Sequence, residues 1–323
     1  MTPTVSVADE APRTAEDRAF RDAVTFSFGD PVVDLYGLAR LGLAADGASG
    51  SAVVYHGEEV VGAAMQTAAA PVVADTWDAV SAAGVSSRIV TPLAAWTVSF
   101  QSAESAFDLR FEAVSAPAVL AADQPVARIG GMEGYEQLCN VTGTVRIGTR
   151  SVAVRCLGQR GHLWGAPDWG RIELARTLSA WMGADRAVHL TAVRPAKGKH
   201  HDEETVAGFL IDGGEPQPIF DPRISTGYDA EMHHRRAGLE LWMQEEGGMA
   251  RRAAGEAFCG TRMDLGELRL DSAFFRWRME GREGVGRYDL LRRVGGGSGG
   301  SRGSAAPRGS GGAGASGGLR RRK

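Results

Sequence analysis

The sequence is poor in the features that mark several common protein classes. Three of its 323 residues are cysteine, and Cys139, Cys156 and Cys259 form an odd set without metal-ligand spacing. That excludes a disulfide framework and a zinc site, and leaves three small, buried apolar residues. No apolar run reaches the length of about 18 residues that a membrane-spanning helix needs. The residues before Ala23 are polar, with Asp9, Glu10, Arg13, Glu16, Asp17 and Arg18 and no apolar stretch. This is the opposite of a secretory signal, so a cytoplasmic location is the default. A formal charge of -3 lacks the strongly basic footprint of a nucleic-acid-binding surface. There is neither a Gly-rich phosphate loop nor a Gly-x-Ser-x-Gly elbow, so nucleotide cofactors and serine-hydrolase chemistry lose support.

What is present is β-structure. Short runs rich in β-branched and aromatic residues recur at 35–43, 51–56, 60–66, 87–91, 96–101 and 107–114, broken by Gly, Pro, Asp and Ser. In Phe107-Asp108-Leu109-Arg110-Phe111-Glu112-Ala113 the apolar residues share one face, the period of a half-buried strand. A hairpin is expected over 142–157 with its turn at 148–150, and strands resume at 173–182, 187–194, 205–211, 238–243, 257–263 and 273–279. The pattern predicts an all-β, antiparallel barrel or sandwich, and a domain size of about 100 to 200 residues makes it two domains. The expected division is a segment 1–24 with a short helix at 14–23, β-domains at 25–150 and 151–294, and a disordered Gly/Ser-rich tail at 295–323 ending in a basic cluster. Trp181, Trp242 and Trp277 read as sheet packing, and the histidine-bearing stretches 200–204 and 233–236 as exposed loops or edges.

One stretch is dense in chemistry. Arg160-Gly161-His162-Leu163-Trp164-Gly165-Ala166-Pro167-Asp168-Trp169-Gly170 combines a cation, an imidazole, a carboxylate and two indoles. Gly and Pro punctuate helix and strand alike, so the segment is expected to turn inward. It would bury Trp164 and Trp169 and aim His162 and Asp168 into the space they enclose. A plainer account has His162 and Asp168 bonding a buried loop and the indoles packing a core.

Together with Tyr135-Glu136-Gln137 and Gly143-Thr144-Val145, this stretch resembles the carotenoid hydratase (hydroxyneurosporene synthase) superfamily, whose motif is similar to Arg-Asp-His-Ser-Trp-Gly followed by Asp-Trp. Gly161 stands where that family carries Asp. The resemblance implies two lipocalin-like β-domains with the motif at the cavity of their junction. It also implies cofactor-free addition of water to a double bond through His162 and Trp164. On this reading His162, Asp168 and Arg160 are the catalytic residues and Trp164 and Trp169 line the ligand, with no metal and no cofactor. The expected partner is a hydrophobic small molecule, terpenoid, carotenoid or polyketide-like, with no nucleic acid and no membrane span. Two readings stay open, a hydratase, isomerase or cyclase and a non-catalytic carrier or sensor of the same ligand class. A structural interaction module would instead have a closed, filled interior.

Overall fold

The computed structural model describes residues 4–14, 17–67, 74–197 and 203–294. Its strands form two antiparallel sheets. The first contains β1 (Arg21–Asp30), β2 (Leu35–Ala44), β3 (Gly47–His56), β4 (Glu59–Gln66), β5 (Ser81–Ala82), β6 (Val85–Thr91), β7 (Ala95–Gln101), β8 (Ser105–Ala113), β9 (Ala118–Leu120), β10 (Met132–Ile147) and β11 (Arg150–Gly165). Their spatial order is 4-3-2-1-11-10-8-7-6-5, with β9 beside β10. The second contains β12 (Ile172–Gly183), β13 (Arg186–Pro195), β14 (Thr205–Asp212), β15 (Glu215–Pro218), β16 (Asp221–Tyr228), β17 (His234–Trp242), β18 (Arg251–Leu265), β19 (Leu268–Met279) and β20 (Arg282–Arg293). Here the order is 15-14-13-12-20-19-18-17-16. The all-β expectation holds.

Alternation builds both sheets. Phe107, Leu109 and Phe111 of β8 are buried while Asp108 and Glu112 are exposed, each apolar ring or isobutyl group contributing about 1.5–3 kcal/mol by leaving water. The first sheet curls on itself, and Gly50 of β3 is bare where the Ala82 backbone of β5 crosses it. Inside the curl Val24, Phe26, Phe28, Trp96 and Phe111 pack together. The second sheet encloses Leu178, Leu190, Phe275, Trp277 and Tyr288 in the same way. Between the sheets lies a third apolar cluster, in which Tyr36, Tyr55 and Leu138 meet Trp181, Phe258 and Phe274. The chain passes from one sheet to the other between Gly165 and Ile172.

Three local expectations are corrected. The N-terminal helical element is a single 3-10 turn at Val7–Glu10, ahead of the expected helix at 14–23, because Arg21–Ala23 already pair in β1. Ala15 and Glu16 lie outside the described residues. The first half of the motif, 160–165, is strand and not an inward turn: β11 continues to Gly165, paired with β1 and β10, since glycine weakens a strand without breaking it when both neighbours are paired. Of the stretch 233–236, His234 is buried in β17 and its Nε2–H donates to the Tyr288 carbonyl, 2.8 Å away. His200, His201, Asp202 and the tail 295–323 lie outside the described residues, and no described helix is long and apolar enough to cross a membrane.

Candidate functional site

Successive residues of a strand face opposite sides, and β1, β10 and β11 therefore carry two different polar groups back to back. On β11, Arg160, His162 and Trp164 look into the first sheet's core, while Gln159, Gly161 and Leu163 look toward the second sheet. On β10, Tyr135 and Gln137 look inward and Glu136 outward.

The inward group contains most of the motif. His162 Nε2 lies 2.7 Å from Asp22 Oδ1, and its ring meets Trp77, Tyr135 and Trp164 edge-on at 5.6, 5.9 and 5.0 Å. The ring is 0% exposed. Arg160 pairs with Glu10 at 2.5 Å and also donates to Gln137. Glu10 Oε1 accepts further from Trp96 Nε1 at 3.1 Å and Tyr135 OH at 3.3 Å. Arg160, His162 and Trp164 are thus brought together, but inside the first sheet and away from the junction. Asp168 and Trp169 are not part of the group. Asp168 is exposed and accepts from the Gly170 amide, and the carboxylate facing His162 is Asp22. Trp169 packs near Leu120, Val126 and Ile172, because the chain leaves the strand at Ala166 and loses its alternation.

The outward group is one that sequence reasoning missed. Gln159 Nε2 lies 2.8 Å from Glu136 Oε2 and 3.1 Å from His189 Nδ1 of β13, while Trp181 Nε1 donates to Gln159 Oε1 at 3.1 Å. An indole N–H can only donate, so it sets the orientation of the Gln159 amide. The amide NH2 can only donate too, so His189 Nδ1 must accept. The imidazole is therefore neutral with its proton on Nε2, which lies 3.4 Å from Thr191 Oγ1. Burial, seconded by the Arg287 charge, lowers the His189 pKa to about 4. Burial raises Glu136 to about 7, against the lowering effects of the Gln159 hydrogen bond and the Arg287 and Arg160 charges. Both groups border two crevices between the sheets, one lined by Thr25, Ser27, Ser179 and Arg287, the other by Leu163, Ala207 and Phe209. Each holds about 10 Å3, room for roughly one water. Larger hollows of about 860 and 770 Å3 are open grooves of mixed polar and apolar lining, one over β16–β19 with Glu58 and Phe258 at its edge, the other over β6, β7, β8 and β10.

Cross-strand register would have pointed to Glu136. It sits opposite Gly161, and a Cβ at 161 would stand 2.3 Å from either carboxylate oxygen. Glycine makes room for the acid. Gly161→Ala is expected to push the flexible carboxylate off Gln159 with little loss of melting temperature. Heteronuclear NMR of Glu136 Cδ should show its titration displaced, and an unchanged titration would contradict this geometry. Trp181→Phe is expected to release the Gln159 amide to flip and let His189 Nδ1 carry the proton. The pattern of 15N shifts of the His189 ring reads this directly, and a retained Nε2–H tautomer would count against it.

Asp229, Glu231 and His233, on the partly exposed turn before β17, have ligand atoms close enough to share a cation. Asp229, however, is already engaged by the Glu231 and His233 amides and by Arg235.

Residues 6–293 match the family described as a domain of unknown function, DUF7064. No curated protein matches the chain. Among solved structures the fold is similar to CghA with Sch210972 bound, at 12% identity and TM-score 0.61, covering 85% of this chain and 89% of that one. It is similar to an AttH-like protein of Nitrosomonas europaea at 10% identity and TM-score 0.60, covering 85% and 92%. Kievitone hydratase of Nectria haematococca gives 10% identity and TM-score 0.60 over 84% and 88%. The resemblance noted from the motif is met by these neighbours at the level of fold.

Proposed function

We propose, from the premise that the chain belongs to the DUF7064 family, that it takes an apolar small molecule between its two sheets and transfers a proton to it without a cofactor. One observation carries the reading. A carboxyl whose pKa burial brings to about 7 lines a crevice at the junction, beside an imidazole held neutral. An acid poised near neutral pH can protonate at that pH and recover its proton afterwards. In a hydration, Glu136 gives its proton to one alkene carbon while water oxygen bonds the other. The proton that water loses restores the acid. A ligand larger than water must displace side chains that line the crevices. Arg160 and His162 face the other side of β10 and β11 and do not line these crevices.

The names of the structural neighbours, a hydratase among them, support this class of reaction. A carrier or sensor of the same ligand is the second reading, favoured by the sealed surroundings of His162, which leave the motif's imidazole out of reach of a ligand. To test them, the protein is incubated with an organic extract of apolar metabolites, washed, and examined by mass spectrometry. A retained compound together with its hydrate or isomer is expected. A retained compound that is never altered would overturn catalysis in favour of the carrier, and no retained compound would overturn both.

A further inference from the structure

On the opposite face of the same strands, we infer a second site: the end of the first sheet binds a small-molecule carboxylate with an apolar body, and Glu10 fills that site as an internal stand-in. Glu10 belongs to neither sheet. It arrives on the helical turn Val7–Glu10 and is 1% exposed. Its three donors, Trp96 of β7, Tyr135 of β10 and Arg160 of β11, all belong to the sheet. The receptor for a carboxylate is therefore built by paired strands, and its occupant is the separable part.

The site has more polar capacity than Glu10 uses. Arg160 Nε, His162 Nδ1, Trp77 Nε1 and Glu10 Oε2 are buried without a hydrogen-bond partner among the described residues. Such groups in a protein interior normally find one. Trp77, Trp96, Trp164 and Tyr135 supply aromatic walls, which suit an aliphatic or aromatic body on the ligand. The segment over the site is fastened near its end by Arg13. The Arg13 amide donates to Asp22 Oδ2 at 2.6 Å, and its guanidinium lies 3.8 Å above the Trp164 ring and pairs with Asp9. Asp22 is also the partner of His162, so removal of the segment would free one oxygen of the same carboxylate. A free carboxylate must compete with a tethered one, whose effective concentration is of order millimolar.

The probe is hexanoate, with hexanamide as its uncharged control, added to the full chain. Hydrogen exchange of the Arg13 amide is expected to speed up saturably with hexanoate and not with hexanamide. In Glu10→Ala, hexanoate is expected to bind about tenfold more tightly than to the wild type, because the internal competitor is gone. It should also raise the melting temperature of that variant. Exchange at Arg13 that hexanoate leaves unchanged, whether or not it binds elsewhere, would overturn the inference. If Glu10→Ala fails to fold, the exchange measurement on the wild type decides alone.

Discussion

Arg160→Ala is expected to lower the folding free energy by about 3–5 kcal/mol, the usual loss when one member of a buried ion pair is removed. Arg160 is 3% exposed and Glu10 1%, so the carboxylate left behind stays out of bulk water for as long as its turn stays docked. Trp96 and Tyr135 still donate to it, but neutral donors do not replace a guanidinium. The loss reflects an uncompensated charge and not the net contribution of the pair, which is small once desolvation is counted. Arg160→Met combined with Glu10→Met should therefore recover most of the stability. Urea unfolding followed by tryptophan fluorescence measures both. A single-variant loss below about 1 kcal/mol, the level of a solvated surface pair, would show that water reaches Glu10.

Glu136→Gln is expected to reduce turnover of whatever compound the protein converts by about 10²–10⁴-fold, the range for removing a general acid. The amide keeps the shape of the side chain but has no proton to give. The same variant has a signature in stability that needs no substrate. Glu136 titrates near 7 in the folded protein and near 4.5 when exposed, so its contribution is lost as pH rises through that window. His189 titrates near 4 when folded and 6.5 when exposed, so its contribution is lost as pH falls from 6.5 to 4. Between 4.5 and 6.5 the two slopes oppose each other. The wild type should be nearly flat there, Glu136→Gln should gain stability with rising pH, and His189→Asn should lose it. Denaturant titrations across that range check the signs, and parallel curves for all three proteins would exclude the proposed protonation states.

The strands themselves were legible. Phe107, Leu109 and Phe111 announce their face because a period of two leaves no other element able to bury them. The turn expected at 148–150 falls at 148–149, where Gly148 takes a φ of 56 that favours glycine, and Arg150 already opens β11. The motif was legible as a cluster but not as a geometry. Glycine at 161 and 165 suggested a break, and pairing on both sides kept the strand whole.

Residue order thus decided that the chain is mostly β, and that Arg160, His162 and Trp164 share a face, because alternation is local. Only the folded sheets decided which space that face looks into and what waits there. Asp22 meets His162 across 140 residues, and Glu10 meets Tyr135 across 125. Glu136 and His189 come together through Gln159 because two sheets pack, and the desolvation that sets their charge exists only once water has been driven from between them.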